Sequence, residues 1–432
     1  MALFPQDALN PGVRKREVFG WAMYDFANSG YTTVVLTAVF NAYFVGVVAG
    51  NAAWATFAWT LAIAASSAIV MTVMPALGAW ADLRAAKKRL LVAATLGCVG
   101  GTAALALAGR GDVMTAALLI VVSNTCFAIG ESLTAAFLPE LARRDALGRV
   151  SGWGWSFGYL GGMLALGASL AYVVHAQARG LPATEFVPVT MLITAGIYAA
   201  AACATFALLR EHAQPQSGAA HSGGVRAALR RLGSTWRHAR RYRDFLWLLA
   251  CGASYQAGIA VVIALAAVYA EQALGFQQAD TMLLVFLVNV AAAGGAFGFG
   301  YFQDRIGHRK ALAWTLAGWI VMTLLAWAAT GPALFWVAAV VAGLCMGSSQ
   351  SAGRALAGVF APPQRLGEFY GLWTFATRLS AIVGPLTYGA VTWATAGNHR
   401  VAILTTAIFF ALGLLLLARV DVTRDQAAAL QT

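Results

Sequence analysis

The chain has 432 residues, 60% of them hydrophobic and only 11% charged, with a mean hydropathy of +0.70 and a formal net charge of +12. Soluble domains carry about 25% charged residues, so the composition excludes an ordinary soluble domain and places the chain among polytopic membrane proteins. The basic residues fall between apolar stretches and build no compact basic domain, which excludes nucleic acid as the partner that explains the charge.

Cys98, Cys126, Cys203, Cys251 and Cys345 all lie in apolar runs without CxxC or Cys/His spacing, so neither a disulfide framework nor a zinc site is expected. The histidines fall at loops or span ends, and no GxxxxGK[ST] run is present. The expectation is a protein without enzymatic activity or cofactor, driven by a gradient and not by ATP. The opening MALFPQDALNPGVRKREVFG has no short apolar core followed by a cleavage site, so the first apolar segment is expected to stay as a span.

Runs of roughly 20 apolar residues can cross a bilayer as helices. The sequence supplies twelve, at 19–47, 54–80, 88–109, 113–138, 149–174, 187–209, 244–271, 280–302, 310–329, 332–354, 367–394 and 399–418. Basic residues mark alternate connections: Arg14 to Arg16, Arg84 to Arg89, Arg143 to Arg149, the loop 210–243, Arg305 to Lys310, Arg354 and Arg365 after the tenth run, and Arg419 with Arg424. Positive connections stay cytoplasmic. Only Arg110, Arg179 and Arg400 fall on the opposite side, and Arg378 alone is read as deep within a span. The expected fold is all-α and membrane-integral, with twelve transmembrane helices and both termini cytoplasmic. Arginine outnumbers lysine 25 to 4, which with the abundant alanine points to a bacterial source and the inner membrane.

The chain divides into a six-helix bundle at 1–209, a basic cytoplasmic linker at 210–243, a second six-helix bundle at 244–418 and a tail at 419–432. Within the linker, Val225 to Arg243 reads either as a solvated connection or as a basic helix on the anionic leaflet. The halves echo each other. GAWADLRAAKKR (Gly78 to Arg89) and GYFQDRIGHRK (Gly300 to Lys310) both set an aspartate, Asp82 or Asp304, four residues after a glycine and before a basic cluster. Gly148 and Gly152 likewise correspond to Gly367 and Gly371 at a constant offset of 219. Such duplication is a mark of secondary transporters.

These two loops resemble the glycine, aspartate and basic-residue signature of the major facilitator superfamily. The match is close at Gly300, Asp304, Arg305, Gly307, Arg309 and Lys310; the first copy departs from it, with Leu83 at the arginine position and no following glycine. Within the superfamily, three stretches look like the branch of the autophagy-related vacuolar amino-acid effluxer, whose bacterial members are called the unknown major facilitator family. They are GWAMYDFANSGY (Gly20 to Tyr31), Phe137 to Gly162, and Ser349 to Pro385. The resemblance implies two pseudo-symmetric bundles, a central cavity lined by helices 1, 4, 7 and 10, and contact between halves through helices 2, 5, 8 and 11.

Asp25 stands out because a carboxylate inside a span is costly unless satisfied. Asn28 and Ser29 share its helical face, and Glu131, with Asn124 on its own face, would join it on one cavity wall by the resemblance. Two such carboxylates suit proton carriage. Arg378 supplies a planar fork for carboxylates and reads either as a substrate-binding group or as half of a permanent ion pair with Asp25 or Glu131. Further cavity candidates are Tyr255, Gln256, Asn289 and Gln350. Trp155, Tyr159, Tyr370 and Trp373 are weaker ones, since aromatic residues near span ends commonly anchor the interface. Asp82, Asp304, Arg305 and Arg309 are assigned to gating.

The expected function is alternating-access transport of a small solute, an amino acid or other small zwitterion or carboxylate, coupled to protons, by a monomer whose other partners are membrane lipids. A carrier of lipids or peptidoglycan fragments and a non-transporting receptor are the rival readings.

Overall fold

The computed structural model describes residues 4–216, 242–274, 276, 278–396 and 398–422; the basic stretch is outside these residues up to position 241, as are positions 423–432 of the tail. The long helices are α1 (Lys15–Val48), α2 (Ala55–Arg84), α3 (Lys87–Ala104), α4 (Val113–Ala135), α5 (Leu147–Ala178), α6 (Ala183–Leu208), α7 (Arg243–Leu274), α8 (Gln278–Ile306), α9 (His308–Ala328), α10 (Pro332–Phe360), α11 (Leu366–Ala394) and α12 (His399–Leu417). Among the described residues, eleven are long and apolar enough to cross a membrane. The one that falls short of the twelve expected is α11, 29 residues long but diluted by Glu368, Arg378 and several hydroxyl side chains.

Packing repeats between the halves. The first six helices pair as α1 with α5 and α6, α2 with α4, and α3 with α4 and α6; the last six repeat each pairing six helices later. Across the halves, α2 lies along α11 and α5 along α8. Glycine makes that approach possible: a β-carbon on Gly78 would collide with the Gly367 carbonyl oxygen, and one on Gly152 with that of Ala296. Large side chains would hold the backbones apart here.

Each interface carries the same capping device at one end. Asp82, at the end of α2, accepts from the backbone N–H groups of Gly367 and Glu368, both at 2.9 Å. Asp304, at the end of α8, accepts from those of Gly148 at 2.8 Å and Arg149 at 3.1 Å. A carboxylate at a helix N-terminus satisfies orphan donors and meets the positive end of the dipole. Both described chain ends lie at this end of the bundle: Asn10 bonds to the carbonyls of Pro139 and Glu140 after α4, and the Asp421 N–H reaches Asp244 at the start of α7.

The missing glycine of the first loop has a structural cost. Gly307 follows α8 with φ +89°, and Ala85, its counterpart after α2, is also left-handed at φ +48°. Alanine is strained by about 1–2 kcal/mol in that region, so Ala85→Gly is expected to stabilise the protein by about 1 kcal/mol, read as a rise in thermal unfolding temperature in detergent.

α1 is irregular beyond Tyr31. Ser29 donates to the Asp25 carbonyl at 3.1 Å, while Thr32 and Thr33 both donate to the Ser29 carbonyl, at 3.0 and 2.8 Å. Hydroxyls that compete for the ladder loosen a helix, and here the backbone widens into π-type turns over Thr32–Ala38 and again over Phe44–Val48. The irregular stretch begins at Thr32, one helical turn beyond Asn28 on the side of α1 away from its N-terminus.

Candidate functional site

The two carboxylates expected to share one arginine have one each. Asp25 pairs with Arg354 at 2.7 Å, and Glu131 with Arg378 at 2.6 Å. Arg354 corrects the sequence reading twice. It is not a loop residue, because α10 continues past 354 to Phe360, and it joins Arg378 as a basic residue within a long apolar helix. The signal available was continuation of the small apolar pattern through ALAGVF, which a lone arginine had appeared to end.

Both pairs join the first six helices to the last six, but their surroundings differ. Arg354 is buried, and each guanidinium nitrogen has a partner: Nη1 donates to Asp25, Nε to the Ser151 hydroxyl at 3.0 Å, and Nη2 to the Ser151 carbonyl at 2.8 Å. Its Cζ lies 4.8 Å from the Trp21 ring centroid and 5.4 Å from that of Trp155. The Trp21 indole N–H donates to the Thr134 carbonyl at 2.8 Å, and the Tyr370 hydroxyl donates to the Arg354 carbonyl at 2.8 Å. Arg378, by contrast, gives one nitrogen to Glu131 and leaves its buried Nε without a hydrogen-bond partner. The Glu131 side chain is 41% exposed, against 12% for Asp25.

Several polar candidates turn away from the space between halves. Asn28 is buried and accepts from the Tyr198 hydroxyl of α6 at 2.5 Å. Asn124 is also buried and donates to Ser66 of α2 at 2.6 Å. Tyr255 is fully buried beside Gly353. Gln256 and Gln350 join α7 to α10 through a 2.7 Å bond, and Gln350 is partly exposed. Asn289 bonds within its own helix to the Val285 carbonyl. Of the gating candidates, Asp82 and Asp304 bridge the halves as described. Arg309 caps α12 through the Ala418 carbonyl at 2.9 Å, and Arg305 is exposed. Trp373 packs against Gly252 and Gly353.

Further contacts between halves crowd toward the same end. Ser132 of α4 donates to the Tyr370 carbonyl at 3.2 Å and accepts from Thr374 at 2.8 Å. Ser151 donates to the Ser351 carbonyl at 2.9 Å, and Arg144 to that of Val359 at 3.0 Å, capping α10 from across the interface.

Two repeated six-helix sets, in contact through α2, α5, α8 and α11 and bridged by two charge pairs, are the arrangement of a transporter of the major facilitator class. The fold is similar to that of the proton:xylose symporter XylE, with a TM-score of 0.69 at 14% identity over 93% of each chain. It is also similar to the human organic anion transporter MFSD10, with a TM-score of 0.66 at 16% identity over 93% of this chain and 99% of that one. The chain belongs to the family described as vacuole effluxer Atg22 like, whose family model matches residues 38–430. Its relatives include the uncharacterized MFS-type transporter YxiO of Bacillus subtilis, 26% identical over 420 residues that cover 94% of this chain and 96% of that one. Autophagy-related protein 22-1 of Penicillium rubens is 24% identical over 474 residues, covering 90% of this chain and 78% of its own.

Proposed function

We propose that the protein carries a small zwitterion or carboxylate, an amino acid foremost, across the bacterial inner membrane by proton-coupled alternating access of the segments 1–209 and 244–418. In this reading α11 is the twelfth span and both termini are cytoplasmic. The observation that carries the proposal is the Glu131–Arg378 pair: an exposed carboxylate on one half, held by an arginine of the other half whose Nε has no partner. Once Glu131 lets go, a substrate carboxylate can take that guanidinium in the two-pronged geometry arginine favours. Glu131, once released, accepts the substrate's ammonium group or a proton. The family description, a vacuole effluxer, supports a small-solute substrate.

The crowded interface at the terminal end supports a resting state closed toward the cytoplasm. Opening there has to separate Asp25 from Arg354 and free both capping aspartates. A carboxylate stripped of its cation inside a membrane is costly unless it is protonated or rehydrated, and this links the movement to protons.

The test is a thermal-shift screen of amino acids, dipeptides, small carboxylates and lysolipids, followed by flux of the best binder in proteoliposomes. Glu131→Gln is expected to abolish accumulation driven by a pH gradient while leaving counterflow within about tenfold of the parent, because a neutral amide still accepts a hydrogen bond but carries no titratable proton. Gradient-driven accumulation that survives in Glu131→Gln removes Glu131 from the coupling role.

A further inference from the structure

Among the described residues, every hydrogen-bond and ring partner of the Arg354 guanidinium belongs to the other half. Asp25 and Trp21 stand on α1, Ser151 and Trp155 on α5, and Arg354 alone comes from α10. The first half therefore holds a complete receptor for a flat cation: a carboxylate, a hydroxyl, a backbone carbonyl and two indole faces. Gly154 makes room for it, since a β-carbon there would stand 2.6 Å from the Arg354 Nη2 and 2.7 Å from the Trp21 ring. Trp21 is held in place from within the same half by the Thr134 carbonyl, so this indole face does not depend on Arg354 for its position.

We infer that this socket is a binding site for an organic cation bearing a guanidinium or primary ammonium group, and that Arg354 is a tethered competitor that occupies it when the terminal end is closed. The inference rests on the alternating-access reading. As α10 withdraws with its half, the socket stays intact on α1 and α5 and opens to solvent. Aromatic faces attract cations most strongly where water is excluded, and a carboxylate with two further acceptors satisfies the N–H donors.

Two measurements test it. Arg354→Ala empties the socket, and titration with methylguanidinium chloride is expected to give a saturable thermal stabilisation and a change in tryptophan fluorescence. Affinity is expected to be at least about tenfold weaker in Asp25→Asn/Arg354→Ala, which lacks the charge. A folded Arg354→Ala protein that does not respond to methylguanidinium overturns the proposal. Should that variant fail to fold, the parent protein in proteoliposomes serves: arginine is expected to inhibit flux at least about tenfold more strongly than its neutral isostere citrulline, with the difference lost in Asp25→Asn. Equal inhibition by the two overturns the proposal. If no amino acid or carboxylate is transported yet methylguanidinium binds Arg354→Ala, the substrate class proposed above fails and the socket stands.

Discussion

Arg354→Ala is expected to lose the arrangement closed at the terminal end. Its side chain is 7% exposed and that of Asp25 12%, so removing the arginine leaves a carboxylate with little water and no cation. Breaking one partner out of a buried pair costs about 3–5 kcal/mol, which displaces the equilibrium between end-closed and end-open states by roughly two to nearly four orders of magnitude. The measurement is the rate at which a membrane-impermeant thiol reagent, applied from the terminal side, labels a cysteine placed at the buried Ser351 in a background without native cysteines. The rate is expected to rise about 100-fold or more. Arg354→Lys keeps the charge but loses the fork and the stacking, so its effect is expected to be intermediate. Asp25→Asn/Arg354→Gln removes both charges and is expected to recover part of the closed population. An unchanged labelling rate in Arg354→Ala would falsify the latch.

Arg378→Lys is expected to act on substrate and not on stability. The pair it belongs to is open, Glu131 being 41% exposed, and exposed pairs contribute at most about 1 kcal/mol to folding. What lysine cannot supply is the Nε and Nη edge that meets both oxygens of a carboxylate. Loss of one charge-assisted hydrogen bond costs about 1.5–3 kcal/mol, so the KM for a carboxylate substrate is expected to rise roughly 10- to 100-fold, with an unfolding temperature close to that of the parent. Equal losses of kcat and stability, with KM unchanged, would assign Arg378 to packing.

Legibility in the sequence followed the range of the signal. The helices and the repeated glycine and aspartate loops were legible because hydropathy and spacing are local, and Asp82 and Asp304 reach the helix N-termini that such a carboxylate favours. Partner choice was not. Asp25 and Arg354 are 329 residues apart in the chain, and the local pattern pointed to Arg378 as its counter-ion because Arg354 was read as lying beyond the tenth span. Reading arginine as the end of a span put Arg354 in a loop, although the buried helix around it is rich in alanine and glycine. The faces of Asn28 and Asn124 were misread for a related reason. Helical spacing says which residues share a face, but only packing shows that Asn28 looks at Tyr198 and Asn124 at Ser66.

The same contrast separates the two ion pairs. Both are arginine–carboxylate pairs, yet one guanidinium has all three nitrogens engaged and the other keeps an unpartnered Nε. That difference divides a latch from a binding group.

If a small zwitterion or carboxylate crosses between two halves that open alternately, counterflow in proteoliposomes will show it: vesicles loaded with an excess of one unlabelled amino acid are diluted into a trace of the same labelled compound, with no ion gradient imposed. Transient accumulation of label above equilibrium is expected for at least one amino acid or small carboxylate, reduced in Arg378→Ala. Folded protein that gives no counterflow with any member of either class would contradict it.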